Sequence, residues 1–262
     1  MSGGSGERRG VLVVLPTYNE SGSLAETVQR LHAAVPEADL LIVDDGSPDG
    51  TGELADSLAA DPRVSVIHRA RKLGLGTAYV EGFRLGLAGG YRWCVEMDSD
   101  GSHLPEQLPG LLAAAEAGAG LVVGTRWMDG GRVTGWPLHR RWISRAGTRV
   151  AQLSLRSRLR DITSGFRVMD ARWLAQFDLS RIASQGYGFQ VELAWTLERF
   201  GCPVAEVPID FVERSSGRSK MSLAIVFEAL RRVLGWGWQL RFAPERLPRA
   251  AAATPAGYGD PR

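Results

Sequence analysis

The chain has 262 residues, of which 44% are hydrophobic and 23% charged, a composition that excludes wholesale disorder. A net charge of +2 does not suggest a nucleic-acid binder, and no stretch reaches the ~18–20 uninterrupted apolar residues of a membrane-spanning helix. The length suits one large α/β domain with tails.

Residues 1–9 are Gly/Ser-rich, lack an apolar core, and read as a disordered tail, not a signal peptide. The apolar run 11–15 predicts a fully buried first strand. Leu24, Val28, Leu31 and Val35 recur at helical spacing, so 21–35 predicts a helix stopped by Pro36. A second strand over 40–43 precedes a helix over 49–60 with Asp49 as N-cap. Residues 64–67 predict a third strand, 76–88 a helix rich in small residues, and 92–97 a fourth strand. Pro105 opens a helix over 105–117, and 121–124 is a fifth strand. Beyond residue 125 come a basic amphipathic helix over 136–159, a strand over 165–169, and helices over 171–177 and 188–200. A strand over 204–209 and a final helix over 222–240 follow; residues after Pro244 read as a second disordered tail. Cys94 and Cys202 lie in or beside apolar runs and are expected to be buried thiols. Strands alternating with helices predict a mostly parallel sheet with helices on both faces, whose ligands bind beyond the carboxyl ends of the strands.

The polar motifs fall at those ends. The first strand ends in Pro16-Thr17-Tyr18-Asn19-Glu20, where Tyr18 could flank a planar base and Glu20 accept hydrogen bonds; an ordinary turn explains it equally well. The second ends in Asp44-Asp45, adjacent carboxylates that repel unless a donor or cation serves them. The third leads into 69–76, where Lys72, Gly74 and Gly76 precede a helix and suit an anion, though a basic loop alone accounts for them. The fourth ends in Asp98-Ser99-Asp100, two hard-oxygen ligands suited to Mg²⁺ or Mn²⁺, with Ser102 a further candidate ligand. His103 reads as structural.

PTYNE, VDDGSPDGT, KLGLG, MDSDGSH, GTRW, ITSGFRVM, GYGFQVEL and VPIDFVERSSGRSKMS together, in this order, resemble family 2 glycosyltransferases over roughly residues 11–225. Within that family the set is similar to the polyprenol/dolichol-phosphate mannose synthases. The resemblance implies a GT-A, Rossmann-like fold over 10–220 and inverting transfer of mannose from GDP-mannose to a polyprenyl phosphate. It implies that Pro16, Thr17, Tyr18, Glu20, Val43, Asp44, Asp45 and Lys72 line the donor pocket. Asp98, Ser99 and Asp100 would hold the metal and diphosphate, with Arg126 on phosphate and Arg214 and Lys220 gripping the donor. Some relatives carry Gln at the position of Ser102, and many carry C-terminal transmembrane helices that this sequence lacks.

A lipid phosphate is already anionic, so no dedicated base is expected; positioning and charge would carry the reaction. Arg126, Arg140, Arg141 and Ser144 are the candidates for the acceptor phosphate, with a solvated helix face as the alternative for Arg140 and Arg141. The stretch 221–243 mixes Trp, Leu, Phe and Arg as an interfacial helix does, although a helix docked on the core would look the same. Trp127, Trp136 and Trp142 beside arginines suggest a second membrane-facing patch. The expected setting is peripheral, on the cytoplasmic face of the membrane, directly or through an integral membrane partner protein. A UDP-sugar donor and a non-catalytic nucleotide-sugar-binding subunit are the alternatives.

Overall fold

The computed structural model describes residues 9–182, 188–213, 223–244 and 247. Arg214, Lys220 and both expected tails beyond these bounds lie outside the described residues.

The chain runs β1 (Arg9–Thr17), α1 (Leu24–Ala34), β2 (Asp39–Asp44), α2 (Thr51–Leu58), β3 (Val64–His68), α3 (Leu75–Ala88) and β4 (Tyr91–Glu96). A 3₁₀ turn then leads into α4 (Leu108–Glu116), followed by β5 (Leu121–Thr125), β6 (Arg132–Thr134) and α5 (Leu138–Leu155). The last part holds β7 (Arg167–Asp170), α6 (Ala171–Leu174), α7 (Gly188–Arg199), β8 (Val204–Pro208), β9 (Asp210–Val212) and α8 (Leu223–Phe242). The central sheet has seven strands in the order β3-β2-β1-β4-β7-β5-β8. All neighbours pair parallel except β7, which runs antiparallel to both β4 and β5.

The inner strands are apolar runs because both of their faces are covered. Successive β1 residues feed opposite layers. Val11, Val13 and Leu15 meet Leu24, Val28 and Leu31 of α1 and the Leu108–Leu112 side of α4. Leu12 and Val14 meet Ala78, Tyr79 and Phe83 of α3. The small residues of α3 let it lie close: a Cβ at Gly82 would fall 2.5 Å from a Val14 methyl, and one at Gly86 2.7 Å from Cys94 Sγ. Both cysteines are free and buried, as expected.

Several local readings need correction. Gly50, at φ +85°, takes the cap position of α2 in place of Asp49, a backbone conformation that glycine adopts without strain. Asp49 still serves the same turn, accepting from the Thr51 backbone N–H at 3.2 Å. The helix expected from 105 begins as a 3₁₀ turn. Two strands of three residues each, β6 and β9, were not expected; they pair parallel as a separate two-stranded ribbon.

Candidate active site

The carboxyl ends of β1, β2 and β4 bring three of the predicted loops together. Ser99 joins two of them. Its hydroxyl donates to Pro16 O at 2.8 Å, and its own carbonyl accepts from Ser23 Oγ at 2.9 Å. The middle residue of the acidic triplet therefore ties the β4 loop to the β1 loop, and is itself buried.

Asp44 and Asp45 find protein donors. Asp44 accepts from Thr17 Oγ1 at 3.2 Å and from the Ser47 backbone N–H at 3.2 Å. Asp45 accepts from Arg69 Nη1 at 2.7 Å and from Gly74 N–H at 2.9 Å. This answers the repulsion expected of adjacent carboxylates, and it anchors the 69–74 loop against the end of β2. The same loop carries Lys72, whose Nζ stands 3.9 Å from the centre of the Tyr18 ring. Glu20 is buried and its backbone N–H donates to Thr51 Oγ1 at 3.0 Å. Pro16 and Val43 pair across β1 and β2 beneath this group.

Asp98 and Asp100 sit differently. The Asp98 side chain keeps 26% of its surface exposed, whereas Asp100 is buried. Asp100 Oδ1 accepts from the Ser102 N–H at 3.0 Å and from its hydroxyl at 2.5 Å, so Ser102 braces Asp100. Asp98 is bordered by Tyr79, whose hydroxyl donates to Oδ1 at 3.4 Å, and by His103, whose Nδ1 is 3.9 Å from Oδ2. His103 is buried and packs against Phe166 and Phe211, as a structural residue does. Burial, then Asp98 and Glu96, push the Tyr79 phenol well above its usual range, so it keeps its proton.

This donor set fits Mg²⁺ or Mn²⁺. It offers two carboxylates and, among the described residues, no group of three His, Cys, Asp or Glu. Such ions are held by one or two carboxylates, with waters and substrate phosphates filling the remaining positions.

Arg126 follows β5 and is held tightly. It is buried, and its Nε and Nη2 each reach Asp161 at 2.7 Å, with Thr163 Oγ1 at 3.1 Å. Trp127, Trp136 and Phe211 surround the guanidinium at 5.2–5.5 Å. Arg140 lies over the other ring, 4.0 Å from the centre of Trp136, and bonds Glu213 at 3.1 Å. Arg141 donates to Val133 O at 2.6 Å, and Ser144 is half-buried on α5. Trp136 is only 7% exposed, which corrects its expected membrane-facing role: the arginines beside it stack on the ring. Trp142, by contrast, is 71% exposed.

Sequence reasoning alone assigned no role to four residues at the site: Asp161, Tyr79 and the buried pair Glu96 and Arg167, of which Arg167 falls inside the ITSGFRVM motif. Arg167 Nη1 is 3.5 Å from Glu96 Oε2, and its guanidinium donates to Gln190 O at 2.7 Å and Ile162 O at 2.8 Å.

The family model of Glycosyl transferase family 2 matches residues 12–177, which span every loop described above except the one beyond β8. The chain belongs to glycosyl transferase family 2. This glycosyltransferase is 52% identical over 233 residues to the undecaprenyl-phosphate mannosyltransferase of Micrococcus luteus, covering 88% of this chain and 96% of that one. It is 49% identical over 228 residues to the polyprenol monophosphomannose synthase of Mycolicibacterium smegmatis, covering 86% of each. A dolichol-phosphate mannosyltransferase of Pyrococcus furiosus is 33% identical, over 85% of this chain and 62% of that one. Among solved structures, the glucosyl-3-phosphoglycerate synthase of Mycobacterium tuberculosis, crystallised with Mn²⁺ and UDP-glucose, superposes with a TM-score of 0.63 at 21% identity. That match covers 89% of this chain and 79% of the other. It shows the shared GT-A fold.

Proposed function

We propose that this glycosyltransferase transfers mannose from GDP-mannose to a polyprenyl monophosphate, with inversion, giving polyprenyl-phosphate mannose and GDP. The observation that carries the reading is the 52% identity, over nearly the whole of both chains, to an undecaprenyl-phosphate mannosyltransferase. The geometry at the strand ends agrees with it.

In this reading the donor base lies by Tyr18 and Glu20, on a floor made by Pro16, Thr17 and Val43, with Asp44, Asp45 and Lys72 shaping its wall. Asp98 and Asp100 hold a divalent cation, Mg²⁺ or Mn²⁺, whose contribution is to neutralise charge on the departing diphosphate. Arg214 and Lys220 are assigned to the donor phosphates by motif alone. An oxygen of the acceptor phosphate forms the new bond to C1 of the mannose as the C1–oxygen bond to GDP breaks. GDP leaves with the electron pair, and no proton needs removing from the acceptor. The protein's work is therefore alignment and electrostatic complementarity. Arg140, Arg141 and Ser144 receive the acceptor phosphate. Arg126, locked to Asp161, acts as a fixed cation between the two phosphate sites.

The lipid chain calls for a membrane surface. Among the described residues no helix is long and apolar enough to cross a membrane. Helices α5 and α8 instead expose Leu138, Trp142, Leu153, Phe227, Trp238 and Phe242, with Arg145, Arg149, Arg231 and Arg241 also exposed on these helices. That composition suits peripheral adsorption to the cytoplasmic face, alone or beside an integral membrane partner.

The test is incubation with Mn²⁺ or Mg²⁺, a polyprenyl phosphate, and GDP-mannose, UDP-glucose or UDP-GlcNAc in turn. Mannolipid formation from GDP-mannose is expected, and its abolition in Asp100→Asn. Transfer only from a UDP-sugar would overturn the mannose assignment. Nucleotide-sugar binding without any transfer would favour a non-catalytic subunit.

A further inference from the structure

We propose that Tyr79 is a positioning residue, whose buried hydroxyl holds the Asp98 carboxylate in the orientation that receives the divalent cation. The inference rests on the metal-dependent reading above.

Tyr79 lies on α3, facing the sheet, with none of its surface exposed. Its ring is stacked against both Phe83 and Phe189, each with its centroid 5.8 Å away, at interplanar angles of 21° and 10°. A ring packed in this way cannot swing its hydroxyl elsewhere. Among the described residues, the partner of that hydroxyl is Asp98 Oδ1, at 3.4 Å. Phenylalanine would fill this apolar slot without burying a hydroxyl, and a buried tyrosine hydroxyl ordinarily has a partner that explains it.

The rest of the slot is rigid as well. A Cβ added at Gly165 would stand 3.5 Å from Asp98 Oδ2 and 3.6 Å from His103 Cε1, so the backbone there passes close to the carboxylate. His103 closes another side, with its Nδ1 3.3 Å from the Asp98 backbone nitrogen. Asp98 is thus bordered by Tyr79, His103 and Gly165, and its side chain keeps 26% of its surface exposed. At 3.4 Å the hydrogen bond is long and weak, so the packed ring that fixes where the hydroxyl points matters more than the bond's strength. Groups behind a metal ligand fix its orientation, and their loss typically weakens metal binding 10- to 100-fold. Because α3 also begins at the Lys72–Gly74 loop, one helix sets both the donor loop and the metal carboxylate.

The experiment compares wild type, Tyr79→Phe and Asp98→Asn in a titration with Mn²⁺ in the presence of GDP, reading free Mn²⁺ by electron paramagnetic resonance. Thermal unfolding is measured in EDTA in parallel. Tyr79→Phe is expected to raise the apparent Kd for Mn²⁺ about 10-fold, with the EDTA midpoint unchanged. An unchanged Kd would overturn the inference. So would a weaker Kd matched by a lower EDTA midpoint, which would make the hydroxyl a packing element. Wild-type protein that takes up no Mn²⁺ would overturn the metal reading, and this inference with it.

Discussion

Replacing Glu96 with Gln should remove a pH dependence of stability that the wild-type protein carries. Glu96 ends β4, with none of its surface exposed, and its nearest cation is Arg167 Nη1 at 3.5 Å. Burial pushes its carboxyl up from 4.5 to about 7, against the opposing pull of Arg167. The folded protein therefore binds this proton more tightly than the unfolded chain does. The associated stabilisation is fully present below pH 4.5 and is lost as pH rises through about 7. At about 1.36 kcal/mol per pH unit, this amounts to about 3 kcal/mol across the interval. Urea unfolding in EDTA, at steps from about pH 4.5 to about pH 8, gives the stability of each protein. The wild-type stability minus that of Glu96→Gln should fall by about 3 kcal/mol over that range. Taking the difference cancels the other titrating groups, including His32, which burial shifts the opposite way. A difference that stays flat with pH would refute the reasoning.

Three further outcomes are expected. Asp161→Asn leaves Arg126 buried without its carboxylate and should cost about 3–5 kcal/mol in denaturant unfolding, whereas replacing the exposed Asp129 should cost little. Gly82→Ala forces a methyl against the Val14 side chain and should destabilise by about 1–3 kcal/mol, read as a lower thermal midpoint. Trp238→Glu, at a position 55% exposed on α8, should weaken co-sedimentation with anionic liposomes while leaving the thermal midpoint unchanged.

The first half of the sheet was legible because inner parallel strands covered on both faces are largely apolar runs, as β1, β2 and β5 are, and the shorter apolar stretches of the edge strand β3 and of β4 fall at the same spacing. Their order and the acids at their tips then located the site. The direction of β7 was not legible: Arg167-Val168-Met169-Asp170 reads the same in either sense, and only its pairing with Cys94 and Val122 reveals it. The ribbon of Arg132–Thr134 with Asp210–Val212 was missed because three-residue strands show too little alternation. Within the site, Ser102 was read as a further metal ligand, whereas its N–H and hydroxyl both donate to Asp100. Side chains whose partner is distant in sequence could not be anticipated. Asp161 meets Arg126 across 35 residues, and Tyr79 looks like any core aromatic until its hydroxyl is followed to Asp98. Trp136 shows how arginine beside tryptophan carries two meanings, an interfacial belt or a buried stack, that only packing separates.

The antiparallel strand β7 has a consequence for how the protein is made. It is the wedge between β4 and β5, so those two strands present unsatisfied edges to one another until residue 170 has been synthesised. Roughly half of the sheet can close early from neighbouring segments, but the β5–β8 half must wait for a late insertion, which is slow and leaves sticky edges open. A nascent or truncated chain ending before this strand should be a client of chaperones and prone to aggregate. The same wedge separates the loop of Asp98 from that of Arg126, so the candidate site takes shape only at the closing stage of folding.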